Sequence, residues 1–376
     1  MLANIPNHWD IASIIALTYI KGMSYAEHKK IVERYSSYQE FISNAFNIKQ
    51  GDFFSSNEPA KSKNIEAAKQ QIDICETQKI NIVTIWDEKY PHLLKTIPSA
   101  PTVIYVYGEL QKSDAVSISV VGTRKCTTYG KLATEMFVSE FIKNDIVVTS
   151  GLAYGVDSVV HQTAIKQGGK TYSVIASGLD KILPQTAKKL ADEIVESGGA
   201  IISEYKCGTV ALPAYFPQRN RIISGISKAT LVVESAIKGG SLITARFALD
   251  QGREVFAVPG SIMSERSLGC NALIHSNTAA VALSPQKMLQ DLGLLELNFD
   301  SNKKVENKFE SKEEELIYNC LSSEPLHIDS LPHQTNLDIS EILVKLLEME
   351  FNGLVRQLPG KYYVRFAWGS VEIKGD

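Results

Sequence analysis

Residues 116–124 read Val-Ser-Ile-Ser-Val-Val-Gly-Thr-Arg, and residues 146–155 read Ile-Val-Val-Thr-Ser-Gly-Leu-Ala-Tyr-Gly. Each is a short apolar run that passes directly into glycine, and the amphipathic segment Tyr129–Lys143 lies between them. Continuous apolar runs of this length are typical of parallel strands that are buried on both faces. This stretch therefore predicts two parallel strands joined by a helix.

The same alternation continues on both sides of this stretch. The predicted strands are Thr102–Tyr107, Val116–Val121, Ile146–Ser150, Thr171–Ala176, Ala200–Ser203, Thr230–Glu234 and Val255–Val258. Strands that alternate with helices indicate a sheet covered by helices on both faces. We therefore predict the α/β class, with an extended Rossmann-like, doubly wound and mostly parallel sheet over residues 80–295.

Two smaller domains are predicted beside the sheet. Residues 1–75 look helical, with Asp10 and Ser24 as helix caps. They resemble a helix-hairpin-helix (SAM-like) domain, although an ordinary small helical bundle explains them as well. Residues 297–310 are predicted to be a linker, and residues 311–370 a winged helix whose candidate recognition helix, Asp338–Glu350, is acidic. That acidity argues against simple reading of duplex DNA.

Composition and charge exclude several classes of protein. The chain has 376 residues, with 39 basic and 42 acidic side chains, so it is not a generally basic nucleic-acid binder. Residues 101–285 nevertheless hold 18 basic and 15 acidic residues, a bias that fits a narrow groove. The five cysteines form no CxxC pair, and the apolar stretch Ile11–Ile20 is too short to span a bilayer. We expect a cytoplasmic protein without membrane contact.

Small residues at the strand ends point to a site for an anion. They are Gly122-Thr123-Arg124, Ser150-Gly151, Gly155, Gly178, Gly240-Ser241 and Gly260. A glycine between a strand and a helix lets backbone N–H groups face outward, where the helix dipole also favours negative charge. In an open α/β sheet the carboxyl ends of the strands border one crevice. We expect an anionic ligand there.

Two common nucleotide cofactors do not fit the glycine pattern. Gly151 and Gly155 are spaced as G-x-x-x-G, and the strand that follows lacks the carboxylate that would hold the ribose of NAD. Gly169-Lys170-Thr171 resembles the end of a Walker A loop, but Ala164 stands where its first glycine is required. We therefore expect no cofactor, and no set of metal ligands stands out.

The segment Phe216-Pro217-Gln218-Arg219-Asn220-Arg221 is the most informative one for function. Arg219 and Arg221 can hold successive phosphates, with Asn220 between them for a phosphate or a base edge. Phe216 offers a flat face on which a base can stack. The alternative is that Phe216 belongs to the core and that an arginine forms an internal ion pair with Glu204 or Glu234.

Residues that might carry out catalysis are few. Glu204 and Glu234 each end a strand and have the chemistry of an acid or a base, but capping of neighbouring turns explains them better. His161 has no evident nucleophile or metal partner in the sequence. A protein that binds its ligand without cleaving it is the favoured interpretation.

Several motifs taken together resemble the DNA processing protein A family (DprA/Smf). They are Trp86-Asp87 with Tyr90-Pro91, Gly122–Arg124, Ser150–Asp157, Phe216–Arg221, Gly240–Ala245, Gly252–Gly260 and Gly269–Ile274. The three-part layout also resembles that family. One departure is Leu183, which stands where the family usually has tyrosine.

The resemblance implies a homodimeric, non-catalytic protein of natural transformation that binds single-stranded DNA and delivers it to the recombinase RecA. It implies that Arg124, Arg219 and Arg221 hold phosphates and that Phe216 stacks a base. The loops at Gly122-Thr123, Ser150-Gly151, Gly155 and Gly240-Ser241 would donate backbone amides. The alternatives are a nucleotide phosphoribohydrolase of the lysine-decarboxylase-like group and a protein-interaction scaffold that acts through the winged helix.

Overall fold

The structure is a computed structural model that describes residues 9–20, 22–47, 58–182, 185–295, 309, 311–322, 324–351 and 354–365. The chain divides into two compact units, Met1–Met288 and Leu289–Asp376. The domain boundaries predicted from the sequence stay predictions. No helix in the described ranges combines the length and apolar character that crossing a membrane requires.

The first unit begins with four helices. They are α1 (Ile11–Thr18), α2 (Tyr25–Arg34), α3 (Tyr38–Asn47) and α4 (Glu58–Thr77). As expected, Asp10 caps α1 by accepting a 2.7 Å hydrogen bond from the Ser13 N–H, and Ser24 forms a capping box with Glu27 at the start of α2. The buried face of α1, which includes Ile15 and Leu17, belongs to the same hydrophobic cluster as sheet residues of this unit.

Nine strands form the central sheet of the first unit. They are β1 (Ile80–Thr84), β2 (Val103–Gly108), β3 (Ser117–Val121), β4 (Val147–Ser150), β5 (Thr171–Val174), β6 (Ala200–Ser203), β7 (Ala229–Val232), β8 (Glu254–Ala257) and β9 (Ala280–Val281). Their order is β1-β2-β6-β5-β4-β3-β7-β8-β9. Strands β3 to β9 pair in parallel, while β2 pairs antiparallel with both β1 and β6. The predicted Rossmann-like, mostly parallel sheet is confirmed.

Helices cover this sheet because its strands are apolar on both faces. They are α5 (His92–Lys95), α6 (Thr128–Lys143), α7 (Val156–Lys166), α8 (Gln185–Glu196), α9 (Tyr215–Ile226), α10 (Ser241–Asp250) and α11 (Leu268–His275). A further helix, α12 (Pro285–Asp291), follows β9 in the chain. One buried cluster includes Ile222 of α9 and Ala245 of α10, and another includes Ile194 of α8.

The strand order places a topological switch point between β3 and β7. From β3 the chain adds β4, β5 and β6 on one side, and it then returns to add β7, β8 and β9 on the other. The loops after β3 and β7 therefore leave the sheet in opposite directions and open a crevice between them. Open α/β sheets bind their ligands at such a crevice.

The second unit has the elements of a winged helix. They are α13 (Lys312–Cys320), β10 (Leu326–His327), α14 (Leu331–Thr335), α15 (Ile339–Phe351), β11 (Val355–Leu358) and β12 (Tyr362–Arg365). The antiparallel sheet has the order β10-β12-β11, and Ile317, Leu346 and Val355 contribute to one core. The predicted winged-helix fold is confirmed.

Candidate nucleic-acid interface

A pocket of about 290 Å³ lies at the crevice between β3 and β7, and we call it the switch-point pocket. Eight residues that the sequence predicted for DNA binding line it: Gly122, Thr123, Arg124, Phe216, Arg219, Asn220, Gly240 and Ser241. They come from the loop after β3, the first turns of α9 and the start of α10. Residues that are far apart in the chain thus share one surface because the strand order brings their loops together.

The loop after β3 is held in place by its own backbone groups. The Thr123 N–H donates to the Glu234 carbonyl at 2.8 Å, and the Thr123 carbonyl accepts from the Val156 N–H at 3.2 Å. The prediction that the loop amides face outward is therefore wrong for Thr123, because its amide is already bonded. What this loop presents to the pocket is the exposed side chain of Arg124.

Gly155 has a structural role in addition to the donation of its amide, which stays a prediction. It has a φ of +80°, and a Cβ at this position would collide with the backbone of Thr123 and Arg124. Only glycine fits that combination of backbone conformation and close approach. Gly155 thus lets the start of α7 support the loop that carries Arg124.

The starts of two helices border the switch-point pocket. Helix α9 follows Ala214 and helix α10 follows Gly240, and in the described structure no side chain caps either N-terminus. At α10, the Ser241 hydroxyl donates instead to Ser235 Oγ at 2.8 Å. The Leu242 and Ile243 N–H groups already donate to the Gly239 and Gly240 carbonyls at 3.1 Å. The positive end of the helix dipole is therefore what favours an anion at this position.

Arg124 and Phe216 form a pair at the mouth of the pocket. The guanidinium carbon of Arg124 lies 5.8 Å from the centroid of the Phe216 ring, a cation–π distance. The Phe216 side chain is 37% exposed, so the alternative that it belongs to the core does not hold. An accessible ring and an accessible positive charge therefore stand side by side.

Arg219 brings a buried positive charge to the same pocket. It is only 7% exposed, and burial is the main reason why its pKa falls to about 10. Among the described residues, its Nε has no hydrogen-bond partner. The buried carboxyl of Asp157 lies close to it, and burial raises the pKa of Asp157 in spite of this positive neighbour. An anion in the pocket would give Arg219 a further partner.

Arg221 requires a correction of the sequence prediction. It is 6% exposed, and its Nη2 lies 2.5 Å from Glu204 Oε2 and 2.8 Å from the Tyr25 hydroxyl. The alternative of an internal ion pair with Glu204 is therefore the observed one. Positions two apart on a helix point in different directions, so Arg221 lies away from the pocket that Arg219 lines.

Ser150 and Gly151 lie beneath the surface and line neither of the pockets described here. The Ser150 hydroxyl is buried and donates to the Val120 carbonyl at 2.7 Å. Gly151 sits so close to Asp157 and Arg219 that a Cβ would be 2.6 Å from the carboxylate of Asp157 and 2.9 Å from Arg219 Nη2. Both residues therefore pack beneath the site and help to hold the residues that line it.

A second pocket of about 520 Å³ adjoins the first, and we call it the adjoining pocket. The two share Arg124, Ala153, Phe216 and Arg219. Gly155, which the sequence predicted as a site residue, also lines it, whereas Tyr154, Ser158 and Gln162 were not predicted. Their signal was available, because they follow a strand-end glycine and begin the next helix.

The residues considered for catalysis are engaged in structural contacts. Glu204 pairs with Arg221, and Glu234 accepts from the Thr127 N–H at 2.9 Å and from its hydroxyl at 2.5 Å. His161 is buried with its Nδ1 2.8 Å from Thr171 Oγ1, and burial lowers its pKa to about 3. In the described ranges, no three His, Cys, Asp or Glu side chains are grouped to hold a metal ion. The substitution at Leu183 lies outside the described residues.

Comparison with known proteins gives consistent matches. Residues 81–293 match the family model of DNA recombination-mediator protein A, and residues 307–361 match the DprA winged helix domain. Protein Smf of Escherichia coli is 37% identical over 285 residues, covering 73% of this chain and 75% of the relative. DNA processing protein DprA of Bacillus subtilis is 40% identical over 205 residues, covering 54% of this chain and 69% of the relative.

Two solved structures are also similar. The X-ray structure of DprA from Streptococcus pneumoniae aligns with a TM-score of 0.55 at 32% identity, covering 75% of this chain and 92% of that one. DNA processing protein A from Helicobacter pylori, whose structure is described as giving insight into a unique single-stranded DNA binding mode, aligns with a TM-score of 0.51 at 26% identity, covering 57% and 95%. By its sequence, its sheet and its winged helix, this chain belongs to the DNA processing protein A (DprA/Smf) family.

Proposed function

We propose that this protein binds single-stranded DNA in the switch-point pocket and leaves the strand intact. The observation that carries the proposal is that exposed Arg124 and buried Arg219 line one pocket together with the accessible Phe216 ring, which Arg124 contacts. Two positive charges beside an aromatic face suit a ligand that alternates phosphates with flat bases.

Each group in the pocket has a defined task in this proposal. Arg124 and Arg219 hold phosphates, and the uncapped start of α10 at Gly240 and Ser241 receives another phosphate oxygen. Asn220 offers both a donor and an acceptor to a phosphate or a base edge. Phe216 stacks one base. Gly122 and Thr123 shape the wall of the pocket, and Arg221 has no contact with the strand.

The same chemistry favours a single strand over a duplex. Stacking on Phe216 requires a base whose face is free, whereas the bases of a duplex are already stacked on one another. Binding through phosphates and stacking is tolerant of sequence, and it weakens as salt rises because counterions are released.

We further propose that the site is non-catalytic. The phosphoribohydrolase alternative needs carboxylates at the ligand, but the acidic residue that lines the switch-point pocket, Asp157, is buried beside Arg219. The Glu234 carboxylate already accepts a hydrogen bond from the Thr127 N–H. Incubation with nucleoside monophosphates should release no free base, and measurable release would favour the alternative.

We also propose that the protein is a homodimer that delivers strands to the recombinase RecA during natural transformation. Membership in a family described as recombination mediators supports the RecA role. Exposed apolar side chains after β8 support self-association, with Ile262 80% and Met263 89% exposed. Sedimentation at micromolar concentration should give twice the chain mass, and a monomer would contradict the dimer.

The winged helix favours a protein partner over DNA. On α15, Leu343, Val344 and Leu347 are exposed apolar residues. The ammonium group of its basic residue, Lys345, forms an ion pair with Glu348, with Nζ 2.8 Å from Glu348 Oε2. The same Nζ lies 3.6 Å from Glu314 Oε1. We therefore propose that α15 binds a protein partner and that this helix adds little to the affinity for DNA. Substitution Val344→Glu in the full chain should leave single-strand affinity unchanged, and a large loss would contradict this role.

The direct test of the proposed function is a fluorescence anisotropy titration. A labelled single-stranded oligonucleotide and a duplex of the same length are compared at several salt concentrations. We expect tighter binding of the single strand, with affinity falling as salt rises. Equal binding of both forms would contradict the proposal, and so would a single-strand affinity that does not depend on salt.

A further inference from the structure

Residues 204–207 follow β6 and lead toward α9, and the N-terminal helices contact this segment at several points. Lys206 Nζ lies 4.4 Å from the centroid of the ring of Tyr19, the residue after the end of α1. Cys207 is buried in the same hydrophobic cluster as Cys75 of α4. The helices therefore cover the stretch of chain that enters α9, the helix proposed to contact DNA.

Tyr25 of α2 makes the closest of these contacts. Its hydroxyl donates to Glu204 Oε2 at 2.6 Å and accepts from Arg221 Nη2 at 2.8 Å. The side chains of Glu204 and Arg221 are only 7% and 8% exposed. A buried ion pair tolerates little displacement, because a charge that loses its partner there is left uncompensated. Tyr25 thus holds the end of β6 and the second half of α9 in one fixed arrangement.

Tyr205 connects the same segment to the first turn of α9. Its ring stacks on the Tyr215 ring, with 4.5 Å between the centroids and 22° between the planes. Its hydroxyl lies 3.4 Å from Gln218 Oε1. Tyr215 begins α9 and directly precedes Phe216. A displacement of Tyr205 would therefore move the turn that carries the accessible ring.

Helix α2 is itself anchored to the sheet at a second place. His28 is only 3% exposed, and its Nδ1 lies 3.0 Å from Oγ1 of Thr102, the residue before β2. The guanidinium carbon of Arg221 lies 4.9 Å from the centroid of the Tyr25 ring. A helix that is fixed at both β2 and β6 gives α9 a rigid surface to pack against.

We propose that Tyr25 is a positioning residue for DNA binding. Through Glu204 and Tyr205, the N-terminal helices hold the first turns of α9. Phe216 and Arg219 are then presented to the strand together. This inference rests on the proposed binding of single-stranded DNA.

The positions of the two tyrosines define how they act. Tyr25 and Tyr205 are not among the residues that line the switch-point pocket or the adjoining pocket in the described structure. Their influence on affinity therefore passes through α9. Any change that loosens α2 from the sheet would weaken DNA binding without touching the site, and the N-terminal helices would regulate the affinity of the pocket.

The experiment measures the affinity of folded variants for a labelled oligo(dT) by fluorescence anisotropy. The variants are Tyr25→Phe, Tyr205→Leu and their combination. Tyr38→Phe is the matched control, because Tyr38 is also buried among the N-terminal helices and packs on Trp9, 6.2 Å between ring centroids. Near-UV circular dichroism checks that each protein is folded during the titration. A loss of global stability alone then leaves the measured affinity unchanged.

We expect Tyr25→Phe and Tyr205→Leu each to weaken binding about fivefold, the size of a modest coupling between two sites. The combined variant should lose little more than the stronger single variant, since both substitutions act along the same path. In a Phe216→Ala background the effect of Tyr25→Phe should shrink, because one of the groups that it positions is gone. Tyr38→Phe should keep the wild-type affinity.

Other outcomes separate the failure of this inference from the failure of the proposed function. If Phe216→Ala weakens binding but Tyr25→Phe and Tyr205→Leu do not, the strand is bound and the N-terminal helices do not position α9. If Tyr38→Phe weakens binding as much as Tyr25→Phe does, the effect is a general loosening of the helices and the inference is wrong. If the wild type does not bind the strand, the proposed function fails and this inference fails with it.

Discussion

The hydroxyl of Tyr25 in α2 donates a 2.6 Å hydrogen bond to Glu204 Oε2 at the end of β6. The same carboxylate oxygen accepts from Arg221 of α9, whose guanidinium carbon lies 4.9 Å from the centre of the Tyr25 ring. Helix α9 also carries Phe216 and Arg219. One buried cluster therefore connects the N-terminal helices to the helix that brings three candidate DNA contacts, Phe216, Arg219 and Asn220, to the pocket.

Removal of the Tyr25 hydroxyl tests how much this cluster stabilises the fold. Tyr25→Phe leaves the ring but deprives a buried ion pair of a hydrogen-bond partner, so the free energy of unfolding should fall by about 1–3 kcal/mol. Urea denaturation measures this change. The control is Tyr154→Phe, whose hydroxyl contacts Thr186 at the surface and whose effect should stay within about 0.5 kcal/mol. Equal effects of the two substitutions would show that the cluster contributes nothing special.

Gly155 provides a test of how the Arg124 loop is supported. Gly155→Ala forces a Cβ into the backbone of Thr123 and Arg124 and also places alanine at a positive φ. The backbone conformation alone should cost about 1–2 kcal/mol, and the collision should displace the loop and weaken single-strand binding. Anisotropy and urea denaturation together separate the two effects.

The matched control for this substitution is Gly252→Ala. Gly252 also has a positive φ, at +68°, but a Cβ there meets nothing within 4 Å. We expect a loss of stability with DNA affinity retained. If Gly155→Ala binds DNA as well as Gly252→Ala does, the supporting role of Gly155 is wrong.

Two buried histidines predict how stability depends on pH. Burial lowers the pKa of His161 to about 3 and the pKa of His28 to about 4. An unfolded histidine titrates near pH 6.5, so below that pH the unfolded state binds protons that the folded state does not. The free energy of unfolding should therefore fall as pH decreases from 6.5 toward 4, by up to about 1.4 kcal/mol per pH unit for each histidine.

Substitution of one of these histidines isolates its share of the pH dependence. For His28→Gln, urea denaturation at several pH values between 7 and 5 should give a slope shallower by about one proton. His92→Gln, at an exposed position, is carried through the same denaturation series as the control. An unchanged slope in His28→Gln would mean that His28 does not stay neutral in the folded protein.

The sequence was sufficient to predict the fold because the apolar runs, the amphipathic segments and the strand-end glycines all indicate the same alternation of strands and helices. It was also sufficient to bring Arg124, Phe216 and Arg219 to one pocket, since loops at the carboxyl edge of a parallel sheet must converge. The predicted strand Thr102–Tyr107 lies within the sheet, but β2 pairs antiparallel, which its own pattern did not indicate.

The errors came from contacts between distant parts of the chain. Arg219 and Arg221 look equivalent in sequence, but they lie in helix α9, where side chains two positions apart diverge. One hydrogen-bond partner of Arg221 is the Tyr25 hydroxyl, which is almost two hundred residues away in the chain. The bond between the Thr123 amide and the Glu234 carbonyl likewise depends on the pairing of β3 with β7, and local sequence cannot reveal it.

The central claim is that Arg124 holds a phosphate of a single strand, and the salt dependence of Arg124→Ala tests it most directly. Lys29→Ala, which removes an exposed charge on α2, is the control. We predict that Arg124→Ala weakens binding about tenfold on every sequence, and that its plot of log affinity against log salt is shallower than that of the wild type by about 0.7 for each phosphate that the variant no longer neutralises. A folded Arg124→Ala protein with the affinity and the salt slope of the wild type would contradict the account.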